Sequence, residues 1–297
     1  MGRLLNARPY EGAGDLRLMQ ELVAALWADR RERSPHHVGD LAWGTYQHVG
    51  RESEWKRHLW FDGSSCIAWA WLDRPAELTF AVHPDLKVHD LVLDWFEREA
   101  EGDQPSAVWV KDDDSEACEA LERRGYRPLP GGRSFGHYVY DIPPQLDDPV
   151  APAGYTFRTV RGEEDLCERV EVHRAVWHPS RVTYESYRNV MGAWPYRPEL
   201  DCVAETPEGR FAAYVLCWYD NDNRAGEFEP VGTHPDHRRK GLAAATCAFA
   251  LRQLQSHGAC TAVVYAGGRE EDAPARALYE SLGFRLHSNE VQWGRPR

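Results

Sequence analysis

Residues 227–251 read EFEPVGTHPDHRRKGLAAATCAFAL, and the order of residue types in this stretch decides the architecture of the chain. Glu227 to Thr233 mix acidic, aromatic and β-branched residues in the alternation of a strand. Gly232 lies inside that run, where a missing side chain marks a bulge or a close approach to the backbone. Pro235 stops the ladder because it has no N–H to donate. Leu242 to Leu251 is rich in Ala and Leu without a breaker, so it reads as a helix whose first turn is expected over Arg239, Lys240, Gly241, Leu242 and Ala243. The first amides of a helix have no helical partner, and the helix dipole adds partial positive charge there. Arg238, Arg239 and Lys240 add full charges, which are unfavourable for the helix alone. Three cations in a row at this place point to an anion that compensates them, and Gly241 lets a diphosphate approach the backbone.

Moving outward, a chain of 297 residues has room for two ordinary domains at about 150 residues each. Its apolar fraction supports a core, its mean hydropathy is well below zero, and no run approaches the roughly 18 apolar residues of a membrane span. No secretory signal is read at the N-terminus, so a cytoplasmic location is expected, with no membrane partner. The seven cysteines are scattered without Cys-x-x-Cys pairs and read as free thiols rather than disulfides or a zinc site. His178, His234 and His237 lack metal-ligand spacing, so no metal is expected. A net charge of −12 argues against nucleic-acid binding, which depends on neutralising phosphates, and is compatible with a cationic amine substrate.

The chain contains one plan twice. LRLMQELVAALWADRRERS from Leu16 reads as an amphipathic helix, and Trp43 to Trp60 is aromatic and polar with weak periodicity. CIAWAWLD and ELTFAVHP read as strands around a turn at Asp73 to Pro75, followed by a helix from Val88 to Ala100 and a strand from Ala107 to Lys111. The Pro-rich segment Asp141 to Gly154 reads as a linker, after which YTFRTVRGEEDLCERVEVHRAVW repeats the opening of the chain. His83-Pro84-Asp85 repeats His234-Pro235-Asp236, but LKVHDL from Leu86 to Leu91 has no glycine and places Asp90 where a phosphate would be repelled. The expected units are 1–146, with no anion site, and 147–297, with one. In the second, Cys202 to Asn223 forms a hairpin, Ala259 to Gly268 a buried strand, and Pro274 to Leu282 a helix capped by Gly283. LHSNEVQWG then closes the sheet.

The order of acidic strand, internal glycine, His-Pro, the turn of Arg238, Gly241 and Ala243, small-residue helix, strand and ALYESLGF resembles the GNAT superfamily of acyl-CoA-dependent N-acyltransferases. The resemblance implies an α/β fold of two tandem GNAT-like units, each a mixed, mostly antiparallel sheet flanked by helices, the N-terminal one degenerate. It further implies acetyl-CoA as co-substrate, a primary amine of a small molecule as acceptor, and a monomer or homodimer. A non-catalytic acyl-CoA-binding or partner-binding module is the alternative.

By that resemblance, main-chain groups of Val231, Gly232 and Thr233 meet the pantetheine arm and acyl carbonyl. The turn of Arg238, Arg239, Lys240, Gly241, Leu242, Ala243 and Ala244 holds the diphosphate. Glu229 and Glu227, two apart on one strand, face the same way, so either can take the ammonium proton, directly or through water. Tyr279, in the LY-x-x-x-GF helix, is the expected acid for the thiolate or else a core tyrosine. Asp272 stands where many relatives place an Asn that touches the pantetheine arm, which puts that contact in doubt. Trp177, Tyr184, Tyr187 and Trp194 form an aromatic wall for a cation or pack the halves together.

Overall fold

The computed structural model describes residues 5–73, 76–100 and 106–295; Arg74 and Pro75 of the expected turn lie outside them. The first half runs β1 (Leu5–Pro9), α1 (Ala13–Arg30), α2 (Val38–Tyr46), β2 (Trp55–Asp62), β3 (Ser65–Asp73), β4 (Glu77–Val82), α3 (His89–Glu99), β5 (Ala107–Lys111), α4 (Ser115–Arg123), β6 (Arg127–Pro128) and β7 (Ser134–Asp141). The second runs β8 (Thr156–Thr159), α5 (Leu166–Val176), α6 (Tyr184–Met191), β9 (Asp201–Glu205), β10 (Phe211–Asp220), β11 (Ala225–Thr233), α7 (Leu242–Ser256), β12 (Thr261–Gly267), α8 (Ala273–Ser281) and β13 (Arg285–Gly294). No described helix is long and apolar enough to cross a membrane.

All strands join one mixed sheet in the order β1-β2-β3-β4-β5-β13-β7-β12-β11-β10-β9-β8, with β6 on β13. The two halves exchange strands at the middle. β13, last in the chain, pairs antiparallel with β5 (Val291↔Val110) and with β7 (Arg285↔Val139), while β7 of the first half pairs with β12 (Val263↔Val139). LHSNEVQWG therefore completes ladders with first-half strands, a pairing that the expectation of its closing the second sheet missed. Strand pattern states which face is buried; it does not state which neighbour supplies the hydrogen bonds.

Helix α2 begins ahead of the weakly periodic segment Trp43 to Trp60 and only its last turn, Trp43 to Tyr46, falls inside it. His37 and Asp40 cap it reciprocally: Gly39 N–H donates to His37 Nδ1 at 3.1 Å, and His37 N–H donates to Asp40 Oδ2 at 2.7 Å. Gly39 is required by packing, since a Cβ there would lie 2.3 Å from Trp218 Cγ on β10. Ala42 and Trp43 share a core with Leu166, Val170, Tyr187, Val190, Leu216 and Trp218 of the second half. Helix α1 likewise packs Leu16, Met19 and Val23 into a cluster that includes Val139, Ala225 and Val263. The halves thus have common cores, and α2 seats its N-terminus over β11.

Candidate active site

Strands β11 and β12 are parallel and pair only over Ala225–Glu227 with Thr261–Val263. Beyond Glu227 they part, and β12 continues against β7 alone. The opening leads into a cavity of about 670 Å³ lined by Glu227, Phe228, Glu229, Pro230 and Val231 on one side and by Val264, Tyr265, Ala266 and Gly267 on the other. The irregularity that accompanies the opening lies on β11 at Glu229 and Pro230, which stand opposite Leu216 alone where the β10–β11 register shifts between Val215↔Val231 and Cys217↔Phe228. Gly232 is therefore not the bulge. It answers to close approach, because a Cβ there would lie 2.8 Å from the Tyr214 ring and from Val176 Cγ1.

Beyond Thr233 the chain makes the turn that the sequence marks. Arg239 and Gly241 adopt φ of 63° and 78°, so the backbone twice enters the left-handed region before α7 begins at Leu242, three residues later than the expected first turn. The first helical hydrogen bond runs from Ala245 N to Gly241 O, leaving the amides of Leu242, Ala243 and Ala244 ahead of it. Arg238, Arg239, Lys240 and Gly241 are exposed. Arg238 Nε donates to Thr233 O and Lys240 Nζ to the Tyr155 hydroxyl, and among the described residues none of the three cations has a carboxylate partner. Unneutralised charge, open amides and a glycine in the left-handed region fit a diphosphate.

The corresponding place in the first half is closed. β4 and β5 pair only over Glu77–Leu78 with Ala107–Val108, but the space beyond, among His36, Phe80, His89 and Lys111, amounts to about 20 Å³. At the head of α3, Asp90 binds Arg124 at 2.9 Å.

The acid–base groups gather around β11. Glu227 and Glu229 face the same way, and Asp40 reaches them from α2, so that one oxygen of each lies within 4.8 Å of the others. Glu227 is 1% exposed. Its Oε2 is 3.2 Å from His37 Nδ1, a nitrogen that already accepts from Gly39 N–H, while His37 Nε2 faces the Ala225 carbonyl at 3.2 Å. His37 therefore carries its proton on Nε2, and burial holds the ring neutral by lowering its pKa. The Glu227 carboxyl faces this nitrogen without a hydrogen bond to it. Burial, followed by Asp40 and Glu229 beside it, raises the Glu227 pKa. Burial and Asp40 also raise Glu229. Such a cluster could bind a cation. Tyr279 lines the same cavity, 5% exposed, and burial followed by the charges of Cys247 and Glu229 raises its pKa and keeps the phenol protonated.

Among the four proposed acceptor aromatics, only Trp177 lines the cavity, its indole N–H donating to the Tyr214 hydroxyl at 2.8 Å, which in turn meets His173 Nδ1 at 3.0 Å. Tyr187 is wholly buried and its hydroxyl donates to Asp201. Tyr184 points outward, donating to Glu171. Trp194 joins the halves: Arg17 sits 3.5 Å over its ring and Gln20 donates to its carbonyl. Tyr184, Tyr187 and Trp194 are thus outside the lining of this cavity. Asp272 does line the cavity. Sequence reading missed His37, Asp40, Trp43 and His173; the capping pair at His37 and Asp40 was the one signal available for the first two.

A match to the acetyltransferase (GNAT) family covers residues 168–284, the span that holds β11, the turn and Tyr279. This span belongs to the acetyltransferase (GNAT) family. Mycothiol acetyltransferase of Segniliparus rotundus is 28% identical over 213 residues, which is 64% of this chain and 74% of that protein. That of Amycolatopsis mediterranei is 32% identical over 167 residues, covering 50% of this chain and 52% of the relative. Two solved structures share the fold along nearly the whole length. A tandem GNAT protein from the clavulanic acid biosynthesis pathway has a TM-score of 0.66 at 16% identity, over 97% of each chain. A GCN5-related N-acetyltransferase from Sphaerobacter thermophilus has 0.63 at 18% identity, over 98% of this chain and 96% of that one. The second half is thus a GNAT acetyltransferase domain, and the chain shares the fold of a tandem GNAT protein.

Proposed function

We propose that the second half, 147–297, transfers the acetyl group of acetyl-CoA directly to a primary amine of a small molecule, and that the first half, 1–146, has no coenzyme site of its own. The observation that carries this reading is that Glu229 and Tyr279 line one cavity at the parting of β11 and β12, on the strand that runs on in sequence to the turn at Gly241. In this mechanism the diphosphate rests on the amides after Gly241 and the acyl carbonyl lies against the main chain of Val231. The amine nitrogen attacks the carbonyl carbon, a C–N bond forms, and the C–S bond breaks. Glu229 takes the ammonium proton, and Tyr279 gives its phenolic proton to the departing sulfur. Glu229 is only partly buried where Glu227 is 1% exposed, which supports Glu229 as the base.

The names of the relatives favour an acceptor related to mycothiol precursors. The test is incubation with acetyl-CoA and a panel containing glucosamine, putrescine, ethanolamine and cysteine-bearing amino-sugar conjugates, with acetylated product read by mass spectrometry. Product on at least one amine, lost in Glu229→Gln, is the expected result. Acetyl-CoA binding without product on any amine would overturn the reading in favour of a binding module.

A further inference from the structure

The acyl cavity accounts for Glu229 and Tyr279 but leaves Asp40 without a task in the transfer. A second cavity, of about 280 Å³, lies on the first half and is lined by Asp40, Trp55, Trp71, Thr79 and Trp109, and it shares Gln47, His48 and Arg51 with the acyl cavity. The two spaces therefore meet beside the three-carboxyl cluster. Other carboxylates along this groove have partners: Glu77 binds Arg133 at 2.6 Å, and Asp73 lies 3.9 Å from Arg51. At the inner end the balance differs. Among the described residues no Lys or Arg pairs with Asp40, Glu227 or Glu229, and both oxygens of the buried Glu227 carboxyl lack a conventional hydrogen-bond partner beyond the His37 contact. One Asp40 oxygen, Oδ2, caps α2, which leaves Oδ1 for the cluster. Three carboxyls drawn from two halves of the chain, with no cation among them, make a place for a positive charge at the end of a groove whose aromatic walls accept a carbon frame.

Resting on the acetyl-transfer reading, we infer that the acceptor enters as an ammonium ion through the first-half groove, and that Asp40 holds that ammonium beside Glu229. The first half is thereby the acceptor-selecting part of the enzyme. The acceptor class is a primary amine that is cationic when it binds, on a frame slender enough to pass Trp55 and Trp71. The groups that face this ammonium are Asp40 from α2, Glu227 and Glu229 from β11, Glu290 from β13, and His48 and Arg51 at the shared mouth.

The test is calorimetry on the coenzyme A-saturated protein with putrescine, glucosamine and ethanolamine, repeated with Asp40→Asn. Asparagine keeps an oxygen for the helix cap and removes the charge. Expected are binding of at least one amine to the native protein, a tenfold or greater weakening in Asp40→Asn with coenzyme A affinity unchanged, and partial recovery in Asp40→Glu. A second variant, Thr79→Lys, places an ammonium in the groove from β4 and should block amine binding while sparing coenzyme A. Amine binding equal in native protein, Asp40→Asn and Thr79→Lys overturns the inference, as does binding of none of the three amines. Tight Mn²⁺ binding that Asp40→Asn abolishes while amine affinity stays unchanged overturns it as well, by making the cluster a metal site. If amines are acetylated but these variants behave as native, the acetyl-transfer reading stands and only this inference falls.

Discussion

His37 Nδ1 and Glu227 Oε2 lie 3.2 Å apart, a first-half helix cap against a second-half strand. The Gly39 amide and the Ala225 carbonyl fix the tautomer of the ring. The contact sets apart two glutamates that look alike in sequence: Glu227 is sealed against the histidine at 1% exposed, and Glu229 is only partly buried.

With Glu229 proposed as the base, Glu227→Gln should be mild, since the amide keeps the shape of the buried carboxyl. Glu229→Gln should reduce turnover by roughly 10²-fold to 10⁴-fold, most at low pH, with partial recovery where free amine appears. Steady-state rates across pH 6 to 9 check both. A silent Glu229→Gln beside a crippled Glu227→Gln would show that the proton assignment is reversed.

Tyr279→Phe retains the ring that packs against Phe284 and removes the hydroxyl. Turnover should fall within the same range of roughly 10²-fold to 10⁴-fold while coenzyme A affinity stays close to native. Native turnover in this variant would mean that solvent protonates the thiolate.

Gly241→Glu should abolish coenzyme A binding, because it sets a carboxylate among the open amides and puts a side chain at φ 78°. Calorimetry decides, with one site per chain expected because the first-half counterpart is filled. Two equivalent sites, or unchanged affinity in the variant, would contradict both statements.

Stability should depend on pH through the same cluster. The folded-state pKa of Glu227 is raised above the ordinary carboxyl value of 4.5. Its contribution is full below that value and is lost as pH rises through the folded pKa. Glu227→Gln should then gain in melting temperature relative to the native protein between about pH 5 and pH 8. Buried His36, His37, His137 and His173 act in the opposite sense: their pKa values are lowered by burial, His173 to about 3. The stability they give is present above 6.5 and lost as pH falls, so acid unfolding should begin below that value. Thermal melts at fixed ionic strength read both trends, and parallel curves for native and Glu227→Gln would refute the first.

Gly39→Ala should loosen the seat of α2, since the new Cβ meets the Trp218 side chain at 2.3 Å. Overpacking of this kind costs about 1–3 kcal/mol. Denaturant melts measure the loss, and amine affinity should suffer with it because Asp40 moves with the helix.

The turn at Gly241 was legible from sequence because its signal is local. Gly241 with its cationic neighbours announces a helix start that needs an anion, and the structure puts those amides and charges in the open. Likewise, Glu227 and Glu229 share a face because alternate strand residues do so. Tyr187 and Trp194 were not legible, since an aromatic side chain reads the same whether it faces a cavity or, as here, Asp201 and Arg17.

By itself the sequence determined the duplicated strand–helix plan, the anion turn and the carboxylates of β11, all of which follow from spacing along the backbone. Only the tertiary structure decided that β7 and β13 change places between the halves, that Asp40 and His37 meet the carboxylates of β11, and that both glutamates are shifted upward together. The reason is physical. Strand partners are chosen by long-range hydrogen bonding, and a carboxyl's proton is set by burial and by charges that arrive from residues far away in the chain.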